Sequence, residues 1–271
     1  MIRVITWNVA RRASALADQA AALAEREPDL VALQEVTVRT LPLWSRAFEL
    51  MGLPSVRASA GPASAGASPR MFVMLASRVA LADAHAPLVV PRPESALSQI
   101  AETSPGPIEI HCVHVPNAAN GWVKVETLRA LRRGLETPGA VPRVLCGDLN
   151  IPRRELPDGT TISFARDSRG RLRPERGPEW DAAELGVVPG LRDLGFRDAY
   201  RALHGYGSRS PSWTWRQIAG HDGGWRLDHT FVSGELVLLA CRYHHEWRER
   251  GLSDHSALET DIELPTPLGG P

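Results

Sequence analysis

Lysine is nearly missing from this chain: among 271 residues Lys124 is the only one, so every other basic residue is an arginine. Excess charge is missing too, because 31 basic residues face 31 acidic ones and the formal net charge is zero. That excludes binding to polyanions through bulk charge and leaves only local clusters to do it. Such clusters exist at Arg11-Arg12, Arg132-Arg133, Arg153-Arg154 and through the stretch 166–176, and arginine is the better fork for phosphate oxygens. Cysteine is scarce. Cys112, Cys146 and Cys241 are odd in number and widely spaced, which argues against a disulfide framework and against a zinc site. Cys112 and Cys146 lie in apolar, strand-like runs and read as small buried hydrophobes. No uninterrupted apolar run is long enough for a membrane span. Met1 to Ile5 leads straight into a strand without the apolar core of a secretory signal, so the cytoplasm is the expected compartment.

What is present suffices for one large core: 43% of residues are hydrophobic against 23% charged, and no linker divides them. One domain is expected over 1–264, with a frayed tail from Pro265. β-branched or continuous apolar runs mark strands at 2–7, 30–34, 72–77, 108–115, 143–146, 226–233, 236–241 and 256–262. Helical spacing marks 14–27, 40–51, 123–135 and 180–194. Two stretches interrupt this alternation. Ala58 to Pro69 is rich in Ala, Ser, Gly and Pro and reads as a mobile loop. Ile151 to Gly177 is long, polar and arginine-rich, and long loops in compact domains are often functional.

The informative residues stand where buried strands end, the place at which an α/β scaffold presents its chemistry. Asn8 follows the first strand and Glu35 the second; His114 closes the run before Pro116-Asn117; Asp148 and Asn150 follow Val144-Leu145-Cys146-Gly147; Asp228 follows Trp225-Arg226-Leu227; Asp254-His255 follows Gly251-Leu252-Ser253. Singly, each has an ordinary explanation as a turn residue, a helix cap or a satisfied core histidine. Six such elements in one chain are poorly explained that way.

The order Trp7-Asn8, Leu33-Gln34-Glu35, Gly147-Asp148-Leu149-Asn150 and Ser253-Asp254-His255 resembles the endonuclease/exonuclease/phosphatase superfamily over nearly the whole chain. His114-Val115-Pro116-Asn117 with Gly121-Trp122, and Gly224-Trp225-Arg226-Leu227-Asp228, look like segments of its exodeoxyribonuclease III-like abasic-site endonucleases. The resemblance implies a four-layered α/β sandwich of two packed mixed sheets covered by helices. It implies a metal-dependent phosphodiesterase using magnesium, or manganese in its place. DNA at abasic sites or 3′ ends is the expected substrate, with RNA, a nucleotide, an inositol phosphate or a phospholipid head group as the alternative. Magnesium favours a few carboxylate oxygens plus waters and substrate phosphate. Glu35 is accordingly the leading ligand, with Asn8 beside it and Asp254 as a second metal or water ligand. His255 serves as base or phosphate-positioning group, with Asp228 fixing its tautomer; Asp148 activates water or protonates the leaving group, and which of the two is the base stays open. Asn150 and His114 are expected on phosphate oxygens, Asn117 and Arg226 on substrate, and Trp215 and Trp225 as walls of a sugar pocket. Three departures stand out: Ala10 where abasic endonucleases often carry Asp, His114 in place of Tyr, and Asn120 where some insert an Arg.

Overall fold

The structure is a computed structural model that describes residues 1–59, 71–104, 106–216 and 222–264, without the side chains of 214–216 and 222. The expected loop at Ala58 to Pro69 and the tail from Pro265 fall almost wholly outside these residues.

In chain order the elements are β1 (Ile2–Asn8), α1 (Leu16–Ala24), β2 (Leu30–Val36), α2 (Leu41–Leu50), β3 (Ser55–Ala58), β4 (Phe72–Ser77), β5 (Leu81–Asp83), β6 (Ala96–Ala101) and β7 (Ile108–His114). There follow α3 (Trp122–Glu136), β8 (Arg143–Asp148), β9 (Arg154–Glu155), β10 (Thr161–Ile162), α4 (Gly177–Leu185), β11 (Phe196–Asp198) and α5 (Ala199–His204). The chain closes with β12 (Trp213–Arg216), β13 (Asp222–Trp225), β14 (Asp228–Ser233), β15 (Val237–His244), α6 (His245–Glu249) and β16 (Ala257–Glu263).

Two six-stranded mixed sheets result, with orders β15-β16-β1-β2-β4-β3 and β11-β14-β8-β7-β6-β5. Each has a single parallel pair at its centre, β1 with β2 and β7 with β8, and antiparallel partners on both sides. Parallel neighbours need a crossover, and α1 and α3 supply it. The two halves are thus built alike, with β1-α1-β2 in one answering β7-α3-β8 in the other. The centre is an inter-sheet layer in which Val4, Leu30, Ala32 and Leu75 meet Ile108, Ile110, Cys112, Val144 and Cys146. The alternate residues Ile5, Trp7, Val31 and Leu33 point outward under Leu23, Trp44 and Phe48 of α1 and α2. Val113 and Leu145 likewise meet Leu128, Leu131 and Trp180 of α3 and α4. Helix, sheet, sheet and helix make the expected four layers. Because both faces of the central strands are covered, they read as continuous apolar runs rather than as alternation.

The helix expected over 180–194 is divided: α4 stops at Leu185, and Gly186 and Pro189 precede a separate 3-10 turn at Gly190–Leu194. All three cysteines are free and buried. No helix among the described residues is long and apolar enough to cross a membrane. One glycine is dictated by the packing that sets up the site. Gly147 has φ +142°, and a Cβ there would lie 1.9 Å from the Val113 carbonyl oxygen of the adjoining strand. Only glycine lets β8 pass β7 so closely one residue before Asp148.

Candidate active site

The carboxyl ends of the two parallel pairs converge. Asn8 ends β1, Glu35 is the penultimate residue of β2, His114 ends β7 and Asp148 ends β8. The Asn8 amide bridges the halves, its Nδ2 donating to Asp148 Oδ2 at 3.0 Å and to Glu35 Oε1 at 3.3 Å. His114 Nε2 lies 3.8 Å from Glu35 Oε1 and 3.7 Å from Asp148 Oδ2. Backbone distortion aims these groups. The β2–β4 register slips between Leu33 and Val36, and Glu35 has φ +58°. Ala10, Arg11 and Asn150 also hold left-handed φ. Such conformations cost about 1–3 kcal/mol each in non-glycine residues and persist where the surroundings impose them. Asn150 uses its own backbone N–H to bind Asp148 Oδ1 at 2.9 Å and its Nδ2 to bind Val115 O at 2.8 Å.

The second sheet's β14 and the segment before β16 add the remaining groups. Asp228, fully buried at the start of β14, accepts from His255 Nδ1 at 2.8 Å. His255 Nε2 faces Asp148 Oδ2 at 3.8 Å. The Ser212 hydroxyl accepts from the backbone N–H of Asp228, and Tyr243 donates to its carbonyl at 2.6 Å. The His255 carbonyl accepts from the Trp7 indole, and its N–H donates to Ser253, whose hydroxyl donates to the Asn8 carbonyl. Burial alone would lower the imidazole's pKa, but the Asp228 and Asp148 carboxylates override it and push it up to about 10. Both carboxylates thus favour the protonated ring. Burial, opposed by His255 and reinforced by Asp228, raises Asp148 above the usual carboxylate range.

The donors fit a hard divalent cation: carboxylate and amide oxygens, with the thiols confined to the core. Glu35 is the carboxylate best placed to hold it, since it lines the cleft and, among the described residues, its Oε2 is bound only by the exposed Arg11 at 3.0 Å. Asp148, Asp228 and His255 offer ligand atoms within 4.8 Å of one another, with Asp228 Oδ2 and His255 Nδ1 already joined to each other. Asn8 differs from the expected ligand. Its Oδ1 accepts from Ala10 N at 3.0 Å while its Nδ2 donates to both carboxylates, so the geometry makes it a bracket between them. Asp254 is exposed and lines the same cleft as His255.

The cleft measures about 1140 Å³ and is lined by His114, Asn117, Asn150, Asp254 and Trp225 among others. Asn117 caps a short turn, accepting from Ala119 N and Asn120 Nδ2. Trp225 stacks on Trp213 with centroids 5.1 Å apart and receives Phe164 edge-on at 5.0 Å. Trp215 is in β12, but its side chain lies outside the described residues. Phe164, Arg92, Arg173 and Arg176 line the cleft as well. Phe164, Trp213 and Arg92 were not among the expected site residues, although the pairing of Trp213 with Trp225 across β12 and β13 is the sort of hairpin signal that could have added Trp213.

Arg226 departs from its expected place on the substrate. It is buried, does not line this cleft, and donates to Glu155 at 2.8 Å and Asp198 at 2.6 Å, with Arg201 on Glu155 at 2.7 Å. A guanidinium walled in by two carboxylates is a strut. Burial would raise Glu155, but Arg226 and Arg201 pull it down from 4.5 to about 2. A depressed carboxylate adds stability above its unfolded pKa and loses it as pH falls through the folded one. Glu155 thus contributes on the order of 3 kcal/mol, lost between about pH 4.5 and 2. Urea midpoints at pH 7 and pH 3 should differ for the wild type, and Glu155→Gln should flatten that difference; equal differences would remove the cluster from the acid response.

A two-sheet sandwich thus gathers carboxylates, an amide and a histidine at one end of its central strands, an arrangement suited to a metal-assisted hydrolase. Residues 5–255 match the endonuclease/exonuclease/phosphatase family, and the chain belongs to it. It is 30% identical over 136 residues to the DNA repair nuclease APEX1 of Danio rerio, which is 47% of this chain and 40% of that protein, so the chain covers less than half of that relative's length. An AP endonuclease from Archaeoglobus fulgidus shares the fold with a TM-score of 0.71 at 21% identity, over 97% of this chain and 100% of that one. A 3′ phosphatase, NExo, from Neisseria, solved with a product DNA hairpin, gives 0.67 at 22% identity over the same shares. An endonuclease/exonuclease/phosphatase from Beutenbergia cavernae gives 0.68 at 19% identity, over 99% of this chain and 73% of that one.

Proposed function

We propose that this chain is a divalent-metal-dependent phosphodiesterase acting on DNA at abasic sites or 3′ ends, with magnesium or manganese held at Glu35. The observation that carries this reading is the bridge from Glu35 through Asn8 to Asp148, continued by His255 and Asp228, at the floor of an open cleft walled by Trp225 and Phe164. Its likeness to a DNA repair nuclease supports the substrate. The cation, when bound, neutralises charge that builds on the phosphoryl oxygens. The chain's own groups do the rest. His255, kept cationic by Asp228, binds a phosphate oxygen, and His114 reaches the same space from the other side. In this reading Asp148, raised by burial, exchanges a proton with the attacking water. Asn150 donates to the phosphate once it leaves Val115 O, or keeps Asp148 oriented by its backbone N–H.

One observation favours the smaller substrate: Glu94 and Asp254 join Glu35 and Asp148 in lining the cleft of a chain without net positive charge. The test separates the two. A fluorescent duplex carrying one abasic-site analogue is incubated with magnesium and with EDTA. Incision is expected with magnesium alone, and Glu35→Gln should raise the magnesium needed for half-maximal rate by about 10- to 100-fold, in the range seen when metal-site groups are altered. No incision, with metal-dependent hydrolysis of a generic phosphodiester retained, moves the substrate to the smaller esters.

A further inference from the structure

The stretch 151–177 is more than a connection, because it brings three arginines onto one wall of the cleft: Arg153, Arg173 and Arg176. Several buried or half-buried arginines are ion-paired, while Arg143 and Arg248, away from the cleft, are held by backbone carbonyls. Arg166 meets Asp181 at 2.6 Å, Arg201 meets Glu155 at 2.7 Å, and Arg226 meets Asp198 at 2.6 Å. The cleft trio is not so paired. Among the described residues no carboxylate lies within ion-pair distance of Arg153 or Arg176, and Arg173 has only the exposed Glu175 at 3.9 Å. Asp167, the nearest acid to influence Arg153, is engaged by Arg171 at 2.8 Å.

The three are held in place by neutral groups. Arg153 donates to the Arg166 carbonyl at 2.8 Å, and Arg173 donates to the same carbonyl at 3.4 Å. Arg176 donates to the Phe164 carbonyl and lies over the Trp180 ring at 5.0 Å. Burial and then the positive field of Arg173, with a further push from Arg176, press the Arg153 guanidinium below its ordinary value. Like charges crowded together without a counter-charge destabilise the fold, and a bound anion would relieve them.

We infer that Arg153, Arg173 and Arg176 form an anion subsite that takes a non-scissile phosphate of a polynucleotide lying in the cleft. This rests on the DNA reading above. Two arms of the stretch fit a nucleotide together: the guanidiniums take the phosphate, and Phe164 against Trp225 offers an apolar face for the attached sugar or base. It also explains how a neutral chain can hold a polyanion, since the charge is local to one wall.

The test is the salt dependence of binding, measured by fluorescence anisotropy of a labelled duplex in EDTA, where no turnover occurs. Wild type, R153Q/R176Q and R153K/R176K are compared, with melting temperatures as the control for folding. The glutamine pair is expected to bind about 10-fold more weakly at ~0.1 M salt and to lose about 1 from the log–log slope, because each phosphate contact contributes about 0.9. The lysine pair should keep most of the slope. If the glutamine pair does not fold, Arg176→Gln alone is read by the same slope. An unchanged slope overturns the subsite, and so does an equal loss in both pairs. Normal duplex binding with loss of retention on phosphatidylcholine–phosphatidylserine vesicles also overturns it, by assigning the cluster to a lipid headgroup. Failure of the wild type to cleave any phosphodiester, with the slope difference intact, would sink the proposed function and leave the subsite standing.

Discussion

Replacing His255 with glutamine is expected to lower kcat on a phosphodiester by about 100- to 10,000-fold, the range for loss of a positioned proton-transfer or charge-stabilising group. The imidazole is buried, bound on one nitrogen by Asp228 at 2.8 Å, and turned on the other toward Asp148. Glutamine can fill much of the space but carries no positive charge to set against a phosphate. Asp228→Asn should cost nearly as much. The carboxylate holds both the charge and the tautomer of the ring, and a carboxamide supplies neither. The two groups act as one unit, so the double variant should lose little beyond the worse single one. Steady-state kcat for the four proteins, with thermal melts alongside, reads this cycle. Multiplicative losses would show that Asp228 acts on its own and that the hydrogen bond to His255 is incidental. Asp228 Oδ1 is buried without a hydrogen-bond partner among the described residues, and its charge acts on His255, on Asp148 and on Arg248.

The same physics decided what the sequence disclosed. Central strands covered on both faces are continuous apolar runs, so a polar residue at the end of one stands out. That is how Asn8, Glu35, His114 and Asp148 could be placed at a common edge before any coordinates. The outer strands carried no such signal: β5, at the edge, is three residues long, and its neighbour Ala96–Ala101 has one β-branched residue in six. Arg226 was misplaced because its partners, Glu155 and Asp198, lie 71 and 28 residues away, a relation that local pattern does not carry. The stretch 151–177 read correctly as long and polar, but its order did not show. Arg166 and Ser163 fasten on Asp181, and the Phe164 N–H donates to Glu184, both on α4. Those long-range bonds turn a loop into a wall.

The last of those fastenings leads to the chain's only lysine, for which the largest loss of stability is expected. Lys124 is wholly buried in α3, 2.8 Å from Glu184, and donates to the Asn150 carbonyl at 2.9 Å while its ammonium lies 4.7 Å from the Phe164 ring centre. Burial lowers its pKa against the pull of Glu184. Lys124→Met keeps the stem and deletes the charge, leaving Glu184 uncompensated in the core. Breaking a buried pair in this way costs about 3–5 kcal/mol, which for a chain of this size corresponds to roughly 10 °C in Tm. Glu184→Gln should cost less, because a lysine already pushed down can shed its proton while a stranded carboxylate keeps only its bonds from the Trp180 indole and Phe164 N–H. The pair K124M/E184Q should therefore melt above K124M alone. Activity should follow stability for a separate reason: the carbonyl that Lys124 holds belongs to Asn150, whose left-handed backbone presents its N–H to Asp148. If the double variant recovers Tm but not kcat, the lysine positions Asp148 as well as stabilising the fold. If both recover together, its role ends at the ion pair.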